Sequence, residues 1–373
     1  MTRAGDRSQM GHKAAVMTAP NAPIETWTLG DPVLAPGDLL LETVASEVCG
    51  TDVHLHHGRL AGVPYPIIPG HVSVGRVVES RGVDHDAVGR PLSEGDVVTF
   101  YDVWGVCGHC YHCAIAAQPN LCGERRVYGI TFGADEGLHG GWSDAIHLKA
   151  GTAVFKLPEG LSSDDIIGGG CGLFTGFGAV ERATLRAADC VVVQGSGPVG
   201  LAAAAFARLG GCGALFVIGD PDARLALGRR MGADRTFSVG GTDPAERLAA
   251  VREATQGRGA DVIIEASGKP TAIGEGFALL RDGGTYVIAG HYTDAGPVEI
   301  NPHLDINRKH ADVRGRWGTE QHHVALALSQ LARNPEALPF AEVIGGRYGL
   351  DEADRALADV AELRVTKAII TPG

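Results

Sequence analysis

Four cysteines lie close together in the chain with spacings that suit a metal ion. They follow the pattern Cys-x2-Cys-x2-Cys-x8-Cys and are Cys107, Cys110, Cys113 and Cys122. Four thiolates at such spacings can close a tetrahedral zinc shell without an open position, which is typical of a structural zinc site. His109 and His112 in the same segment are alternative ligands. Four unrelated reduced cysteines and two disulfides are the other interpretations.

A second set of candidate metal ligands is dispersed along the chain. Its members are Cys49 in Cys-Gly-Thr-Asp, His71 in Gly-His-Val and Cys171 in Gly-Cys-Gly. No spacing rule brings the three together, so the residues by themselves make them candidates only. A buried cysteine usually behaves as a small hydrophobic residue, and a lone histidine is more often structural than a ligand.

A glycine-rich turn follows an apolar run at residues 190–194 and precedes a helical pattern that ends near Gly210. Its residues are Gly195, Ser196, Gly197, Pro198, Val199 and Gly200. The first glycine permits a tight turn, the second lets a pyrophosphate approach the backbone, and the third allows close packing of helix on strand. The helix N-terminus then offers N–H groups to the diphosphate. The order of strand, turn and helix predicts dinucleotide binding.

The choice between NAD and NADP depends on the end of the next strand. An acidic residue about 20 positions after the glycine turn binds the ribose 2′-hydroxyl of NAD. Gly219 occupies the usual acidic position and Asp220 follows it. A carboxylate there repels a 2′-phosphate, whereas Arg224 could accept one. The sequence favours NAD over NADP, with Asp220 as a simple turn residue before Pro221 as the alternative.

Composition excludes several classes of protein. The chain has 373 residues, a formal charge of −12, 45% hydrophobic and 20% charged residues, which predicts about two globular domains. No basic run favours nucleic acid or an anionic membrane, and no apolar run reaches the roughly 18 residues of a spanning helix. Residues 1–10 lack the apolar core of a secretory signal. We therefore expect a cytoplasmic protein with reduced cysteines.

The pattern of hydrophobic residues changes along the chain. Up to about residue 150, short strand-like segments alternate with Pro and Gly turns, which predicts an antiparallel β-rich domain. From about residue 163, helical stretches alternate with Val/Ile runs at 190–194, 215–218, 261–265 and 285–289. Such alternation predicts βαβ units and a parallel sheet. The segment after about residue 314 fits either domain.

Together these motifs resemble the zinc-dependent medium-chain alcohol dehydrogenases, from about residue 13 to residue 370. The resemblance rests on Cys49-Gly-Thr-Asp, Gly70-His71 with Gly75, the four-cysteine lobe at about 105–125 and the later glycine turn. It implies an α/β protein with a GroES-like catalytic domain over 1–172 and 316–373. A Rossmann coenzyme domain is expected over 173–315.

The same resemblance implies roles for single residues. Cys49, His71 and Cys171 would hold a catalytic zinc, giving two zinc ions per chain. Thr51 would lie beside the alcohol, and His54 would end a proton relay. Asp52 would orient His71, and Thr175 would pack near the nicotinamide. The other interpretations are a turn hydroxyl for Thr51 and, for His54, a surface histidine clustered with His56 and His57.

The expected activity is hydride transfer between a small alcohol or carbonyl and NAD, in a homodimer or homotetramer. The common family motif reads Gly-His-Glu, but Val72 stands in the place of the glutamate, so no role of that carboxylate carries over. The aromatic residues in the segment 100–104 and Trp142 are expected either to border the substrate pocket or to belong to the core. A zinc-independent quinone or enoyl reductase and a non-catalytic nucleotide-binding regulator are the alternative functions.

Overall fold

The computed structural model describes residues 11–373, so the segment assessed for a secretory signal lies outside the described residues. The strands in this part of the chain are β1 His12–Met17, β2 Ile24–Leu29, β3 Leu39–Val48, β4 Ser73–Ser80, β5 Val97–Phe100, β6 Val103–Trp104, β7 Arg126–Val127, β8 Ala145–Leu148, β9 Val154–Lys156, β10 Cys190–Gln194, β11 Ala214–Gly219, β12 Arg235–Ser238, β13 Ala260–Glu265, β14 Leu280–Ile288, β15 Asp312–Gly315, β16 Ile344–Tyr348 and β17 Lys367–Ile370. The α-helices are α1 Gly50–His56, α2 Ser163–Ile167, α3 Gly170–Ala183, α4 Pro198–Leu209, α5 Asp222–Arg230, α6 Pro244–Ala254, α7 Pro270–Leu279, α8 Gln321–Arg333 and α9 Ala353–Ala361.

The chain divides into two compact units. The first comprises the described residues up to Leu157 together with Gly346–Arg364 and Ala368–Gly373. The second comprises Pro158–Gly345 and Val365–Lys367. The C-terminal part of the chain is therefore divided between the two units, which agrees with a sequence pattern that fitted either domain.

A six-stranded parallel sheet forms the centre of the second unit. Its strand order is β12-β11-β10-β13-β14-β15, and each neighbouring pair is parallel. Numbered along the chain from β10, this is the order 3-2-1-4-5-6 of the doubly wound dinucleotide-binding fold. The order reverses between β10 and β13, where Gln194 pairs with Glu265. Ligands of such sheets bind outside the carboxyl ends of the strands at this point.

The parallel sheet is buried on both faces, as its continuous apolar strands require. Val191 and Val193 pack on one face with α3 and α4 residues such as Ala179 and Ala204. Val192 packs on the other face with residues from α6 and α7. Small residues let α3 approach α4 closely, because a Cβ atom at Gly176 would lie 2.5 Å from the Cβ of Ala202. The predicted βαβ organisation is therefore confirmed.

Antiparallel strands form the larger sheet of the first unit. Their order is β16-β17-β3-β4-β5-β9, and β8 also pairs with β3. The long strand β3 lies within this sheet, and its last four residues are buried. Phe100 and Trp142, which sequence analysis left between substrate pocket and core, are 1% and 0% exposed and belong to the core. Within residues 11–373, no helix is both long and apolar enough to cross a membrane.

Candidate metal and nucleotide sites

Strand β3 brings Cys49 into the interior of the first unit. Cys49 is the N-cap residue of α1, and its Sγ accepts a hydrogen bond from the backbone N–H of Thr51 at 3.3 Å. The Asp52 carboxylate in turn accepts from the backbone N–H of Cys49 at 2.8 Å. The Cys49-Gly-Thr-Asp segment is thus a helix N-terminus whose donors lower the cost of a buried thiolate.

His71 lies against this helix N-terminus. It follows Gly70, which has φ +91° and no room for a side chain, because a Cβ atom there would lie 2.5 Å from the Ser46 Oγ. Nε2 of His71 lies 3.7 Å from the Cys49 Sγ. Its Nδ1 lies 3.7 Å from an oxygen of Asp52, which is just beyond hydrogen-bond distance. Asp52 is therefore behind the ring, and Nε2 faces the thiol.

The surroundings of His71 are strongly negative. Burial opposes a charged ring, but the Cys49 thiolate and the Glu47 carboxylate raise the pKa of His71 well above its usual value. One oxygen of Glu47 lies 3.1 Å from Nε2, and the Glu47 side chain is fully buried. A buried thiolate, imidazole and carboxylate with facing donor atoms fit a divalent cation such as zinc. Sequence reasoning missed Glu47, because nothing in its immediate sequence marks it as facing His71.

The expected relay residues lie in the first two turns of α1. Thr51 and His54 are both half-buried, and Nδ1 of His54 is buried without a hydrogen-bond partner in the described residues. Burial, followed by the charges of Arg59 and His57, lowers the pKa of His54, which favours the neutral ring. His56 instead contacts the carbonyl oxygen of Ala22 at 3.0 Å.

Cys171 and Thr175 belong to the second unit. Both lie in α3, one turn apart and half-buried. Gly172 between them allows close contact with the next helix, because a Cβ atom there would lie 2.6 Å from the Cβ of Pro198. The roles of Cys171 as a metal ligand and of Thr175 as a nicotinamide contact remain predictions.

The four lobe cysteines come together in the structure. All eight cysteines of the chain, including these four, are free thiols. The sulfur atoms of Cys107, Cys110, Cys113 and Cys122 all lie within 4.8 Å of one another. The eight-residue spacing before Cys122 therefore still allows its sulfur to reach the other three. Backbone N–H groups of Cys107 and Glu124 lower the pKa of Cys122 to about 6, which favours its thiolate.

The histidines of the lobe are not needed to complete this sulfur cluster. Nδ1 of His109 contacts the backbone oxygen of Cys107 at 2.8 Å. His112 lies in a single turn of π-helix at Tyr111–Ile115, and its Nδ1 is buried without a partner in the described residues. His109 and Glu124 also bring ligand atoms within 4.8 Å of the Cys107 sulfur, but four closely spaced thiolates by themselves fit a structural zinc ion.

The glycine-rich turn lies at the carboxyl end of β10, where the strand order of the parallel sheet reverses. Gly195 has φ +117°, and a Cβ atom there would lie 2.8 Å from the backbone of Ala266. Gly197 caps α4, Pro198 is its first residue and Val199 follows. Apart from Gly197, its two chain neighbours and the nearby backbone of α4, no atom of residues 11–373 lies within 4 Å of the place where a Gly197 Cβ would be. This open space beside a helix N-terminus fits the diphosphate of a dinucleotide.

The end of β11 distinguishes the possible contacts to the adenosine ribose. Gly219 has no room for a side chain, because its Cβ would lie 2.8 Å from the backbone nitrogen of Ser196. The exposed Asp220 accepts hydrogen bonds from the Ser238 hydroxyl at 2.6 Å and from the N–H of Gly240 at 3.2 Å. Arg224 is 9% exposed and donates to the carbonyl oxygen of Val365 at 3.2 Å. The acidic group is thus more accessible than the guanidinium.

Glu265 holds two loops at the same edge of the sheet and was also missed by sequence analysis. One of its oxygens accepts hydrogen bonds from the backbone N–H groups of Ser267 and Gly268 at 2.6 and 2.7 Å. The other accepts from the N–H of Gly290 at 3.2 Å. Because the side chain is fully buried, this carboxylate fixes the loops that follow β13 and β14.

Comparison with known proteins adds to this geometry. A family model described as zinc-binding dehydrogenase matches residues 198–333, and a model of the alcohol dehydrogenase GroES-like domain matches residues 35–159. The 5-exo-hydroxycamphor dehydrogenase of Pseudomonas putida is 34% identical over 366 residues, covering 96% of this chain and 97% of the relative. The chain belongs to the zinc-dependent medium-chain alcohol dehydrogenase family. It is therefore an oxidoreductase of the zinc-binding dehydrogenase type.

Solved structures of this dehydrogenase family agree. An alcohol dehydrogenase from Thermotoga maritima has a TM-score of 0.93 at 34% identity, covering 98% of this chain and all of the other. A zinc-binding dehydrogenase-like protein from Sinorhizobium meliloti, solved bound to NADP, has a TM-score of 0.84 at 27% identity and the same coverage. The predicted fold, a GroES-like domain with a Rossmann domain, is confirmed.

Proposed function

We propose that the chain is a zinc-dependent alcohol dehydrogenase that uses NAD. The observation that carries the proposal is the buried pair of Cys49 and His71, with Asp52 behind the imidazole. Cys49, His71 and Cys171 would hold the catalytic zinc, and the four lobe cysteines would hold a structural one. A zinc ion at the first site would polarise the oxygen of the bound alcohol or carbonyl.

The residues of the chain would orient the substrate and move its proton. The Thr51 hydroxyl would accept the proton that leaves the substrate oxygen while it releases its own, and Nδ1 or Nε2 of His54 would pass the released proton towards solvent. A nicotinamide held beside Thr175 would supply the acceptor for the hydride of the substrate carbon. The products are therefore a carbonyl compound, the reduced nicotinamide and one proton. Burial lowers the pKa of His54 and keeps its ring neutral, so one ring nitrogen has a lone pair for that proton and would release it readily.

The nucleotide would bind along the carboxyl edge of the parallel sheet. The diphosphate would lie on Gly195, Gly197 and the N-terminus of α4, starting at Pro198, Val199 and Gly200. Asp220, which is exposed and held by Ser238, would accept the ribose hydroxyls of NAD. The buried, inward-facing Arg224 supports NAD rather than NADP, although a relative binds NADP. Thr175 would contact the nicotinamide.

The remaining parts of the proposal concern organisation. The catalytic domain would comprise residues 1–172 and 316–373, and the coenzyme domain residues 173–315. We infer a homodimer or homotetramer in the cytoplasm, acting on a small molecule and not on nucleic acid or membranes. The name of the camphor-related relative supports a secondary ring alcohol as one substrate class.

The test is a panel of primary, acyclic secondary and ring alcohols, assayed by absorbance of NADH and NADPH. We expect oxidation of at least one alcohol with NAD, and a loss of at least about a thousandfold in kcat for Cys49→Ala, because a metal ligand is removed. Cys212→Ala is the matched control, since Cys212 is a buried packing residue of the second unit. A zinc-free preparation with full activity would contradict the proposal.

Two alternatives make different predictions in the same assays. A quinone or enoyl reductase would reduce its substrate with Cys49→Ala as fast as with the unchanged protein. A nucleotide-binding regulator would bind NADH but turn over no alcohol in the panel. Its cellular role would survive Cys49→Ala and be lost with Gly197→Trp, which fills the open space beside α4.

A further inference from the structure

Glu47 is a fully buried carboxylate two residues before Cys49. It lies near the end of β3, in a stretch where four consecutive residues are buried. Burying a carboxylate is costly unless it is paired, hydrogen-bonded or bound to a metal. A glutamate at this position of a core strand therefore calls for an explanation beyond packing.

The backbone fixes where the Glu47 side chain points. Its N–H donates to the carbonyl oxygen of Val72 at 3.1 Å, and its own carbonyl oxygen accepts from the Trp142 indole at 2.9 Å. Glu47 also pairs with Ile369 in the antiparallel sheet. With both backbone groups held, the carboxylate is directed at His71, and one oxygen lies 3.1 Å from Nε2.

Nε2 of His71 faces the Cys49 thiol as well as the Glu47 carboxylate. Nε2 of His71 is 3.7 Å from the Cys49 Sγ, whereas Nδ1 is on the side of Asp52. The donor atoms of Glu47, Cys49 and His71 all lie within 4.8 Å of one another. The residue after His71 is Val72, which is buried and offers no donor. Glu47 thus presents a carboxylate from strand β3 to Nε2 of His71, the atom that would bind the metal.

We propose that Glu47 is an additional ligand of the catalytic metal, bound in the absence of substrate and released when the substrate oxygen arrives. This inference rests on the proposed zinc-dependent function. Two cysteine thiolates already balance the charge of a zinc ion, so a carboxylate adds one excess negative charge. Because of this excess charge, Glu47 should bind weakly and exchange readily for a neutral alcohol. Until the alcohol arrives, the carboxylate would keep the metal from being lost.

The test is cobalt substitution of the enzyme, because Co²⁺ reports its ligands through its visible absorption spectrum. We expect Glu47→Gln to change the spectrum of the substrate-free enzyme and to release this metal to a chelator about tenfold faster or more. Glu42→Gln on the exposed face of the same strand is the matched control and should change neither. The spectrum with bound alcohol should be the same in all three proteins.

Different outcomes separate this inference from the proposed function. If Cys49→Ala still binds the same number of metal ions as the unchanged enzyme, the proposed function fails. If that number falls but Glu47→Gln has the unchanged spectrum and release rate, only the role of Glu47 is overturned. Should Glu47→Gln not fold, a crystal structure of the unaltered, zinc-loaded enzyme decides. A Glu47 oxygen at roughly 2.0–2.2 Å from zinc supports the inference, and one beyond about 3 Å overturns it.

Discussion

A Cβ atom at Gly200 would lie 1.9 Å from the carbonyl oxygen of Gly195. The first and the third glycine of the turn therefore pack backbone against backbone, and no side chain fits at position 200. Gly197 between them has an ordinary φ of −75° and open space around it. The two positions allow a test that separates folding from ligand binding.

We expect Gly200→Ala to destabilise the protein by about 3 kcal/mol or more, because a backbone segment must move to accept the methyl group. Gly197→Ala should change the free energy of unfolding by less than about 0.5 kcal/mol. Its methyl group should still weaken NADH binding at least about tenfold, because it occupies the space expected for the diphosphate. Urea unfolding without ligand and fluorescence titration with NADH measure the two effects. An unchanged Kd for Gly197→Ala would contradict the proposed nucleotide site.

Asp220 should set the preference for NAD. Replacing it with alanine removes the negative charge that repels a 2′-phosphate, so the ratio of kcat/KM with NADP to that with NAD should rise about tenfold or more. Arg224→Met is the control variant. Burial lowers the pKa of Arg224, and its guanidinium contacts the Val365 carbonyl and not the nucleotide site. That variant should leave the ratio unchanged. A selective loss of NADP use in Arg224→Met would show that the arginine turns outwards to bind phosphate.

The difference between Asp220 and Arg224 also shows what the sequence could predict. The βαβ units of the parallel sheet, the glycine turn and the closeness of the lobe cysteines follow from local sequence patterns, and the structure agrees with each. Arg224 could not be assigned in this way, because its direction depends on Val365, 141 positions along the chain. Glu47 was missed for the same reason. Its significance comes from facing His71, which follows α1 and a long loop, and from the complete burial of its side chain.

Metal analysis should give roughly two zinc ions per chain, one for each set of ligands. Cys122→Ser should retain about one zinc ion and unfold at a lower temperature, because the loss of the lobe metal removes its contribution to stability. Cys212→Ser is the control and should retain both, since Cys212 packs in the core of the second unit. Elemental analysis after gel filtration and thermal unfolding test this. Two retained zinc ions in Cys122→Ser would show that the lobe does not bind zinc through four cysteines.

Acid should destabilise the second unit through His323. This ring is fully buried, its Nδ1 lies 2.8 Å from the backbone nitrogen of Glu320, and its Nε2 lies 3.0 Å from a Glu181 oxygen. Burial, reinforced by the nearby charge of Arg316, lowers the pKa of His323 to about 4. An unfolded histidine has a pKa of about 6.5, so between these two values the unfolded chain binds more protons than the folded one.

The contribution of His323 to the free energy of unfolding should therefore be fully present above about pH 6.5 and should fall as the pH drops towards about 4. Between about pH 7 and pH 5 the expected loss is about 2 kcal/mol. Urea unfolding at several pH values measures it, and His323→Ala provides the comparison. The variant will be less stable at every pH because it leaves a cavity, but its free energy of unfolding should fall less steeply between these pH values. An equal pH dependence in the two proteins would show that His323 takes up its proton without unfolding, with Nδ1 giving up the hydrogen bond from the Glu320 N–H.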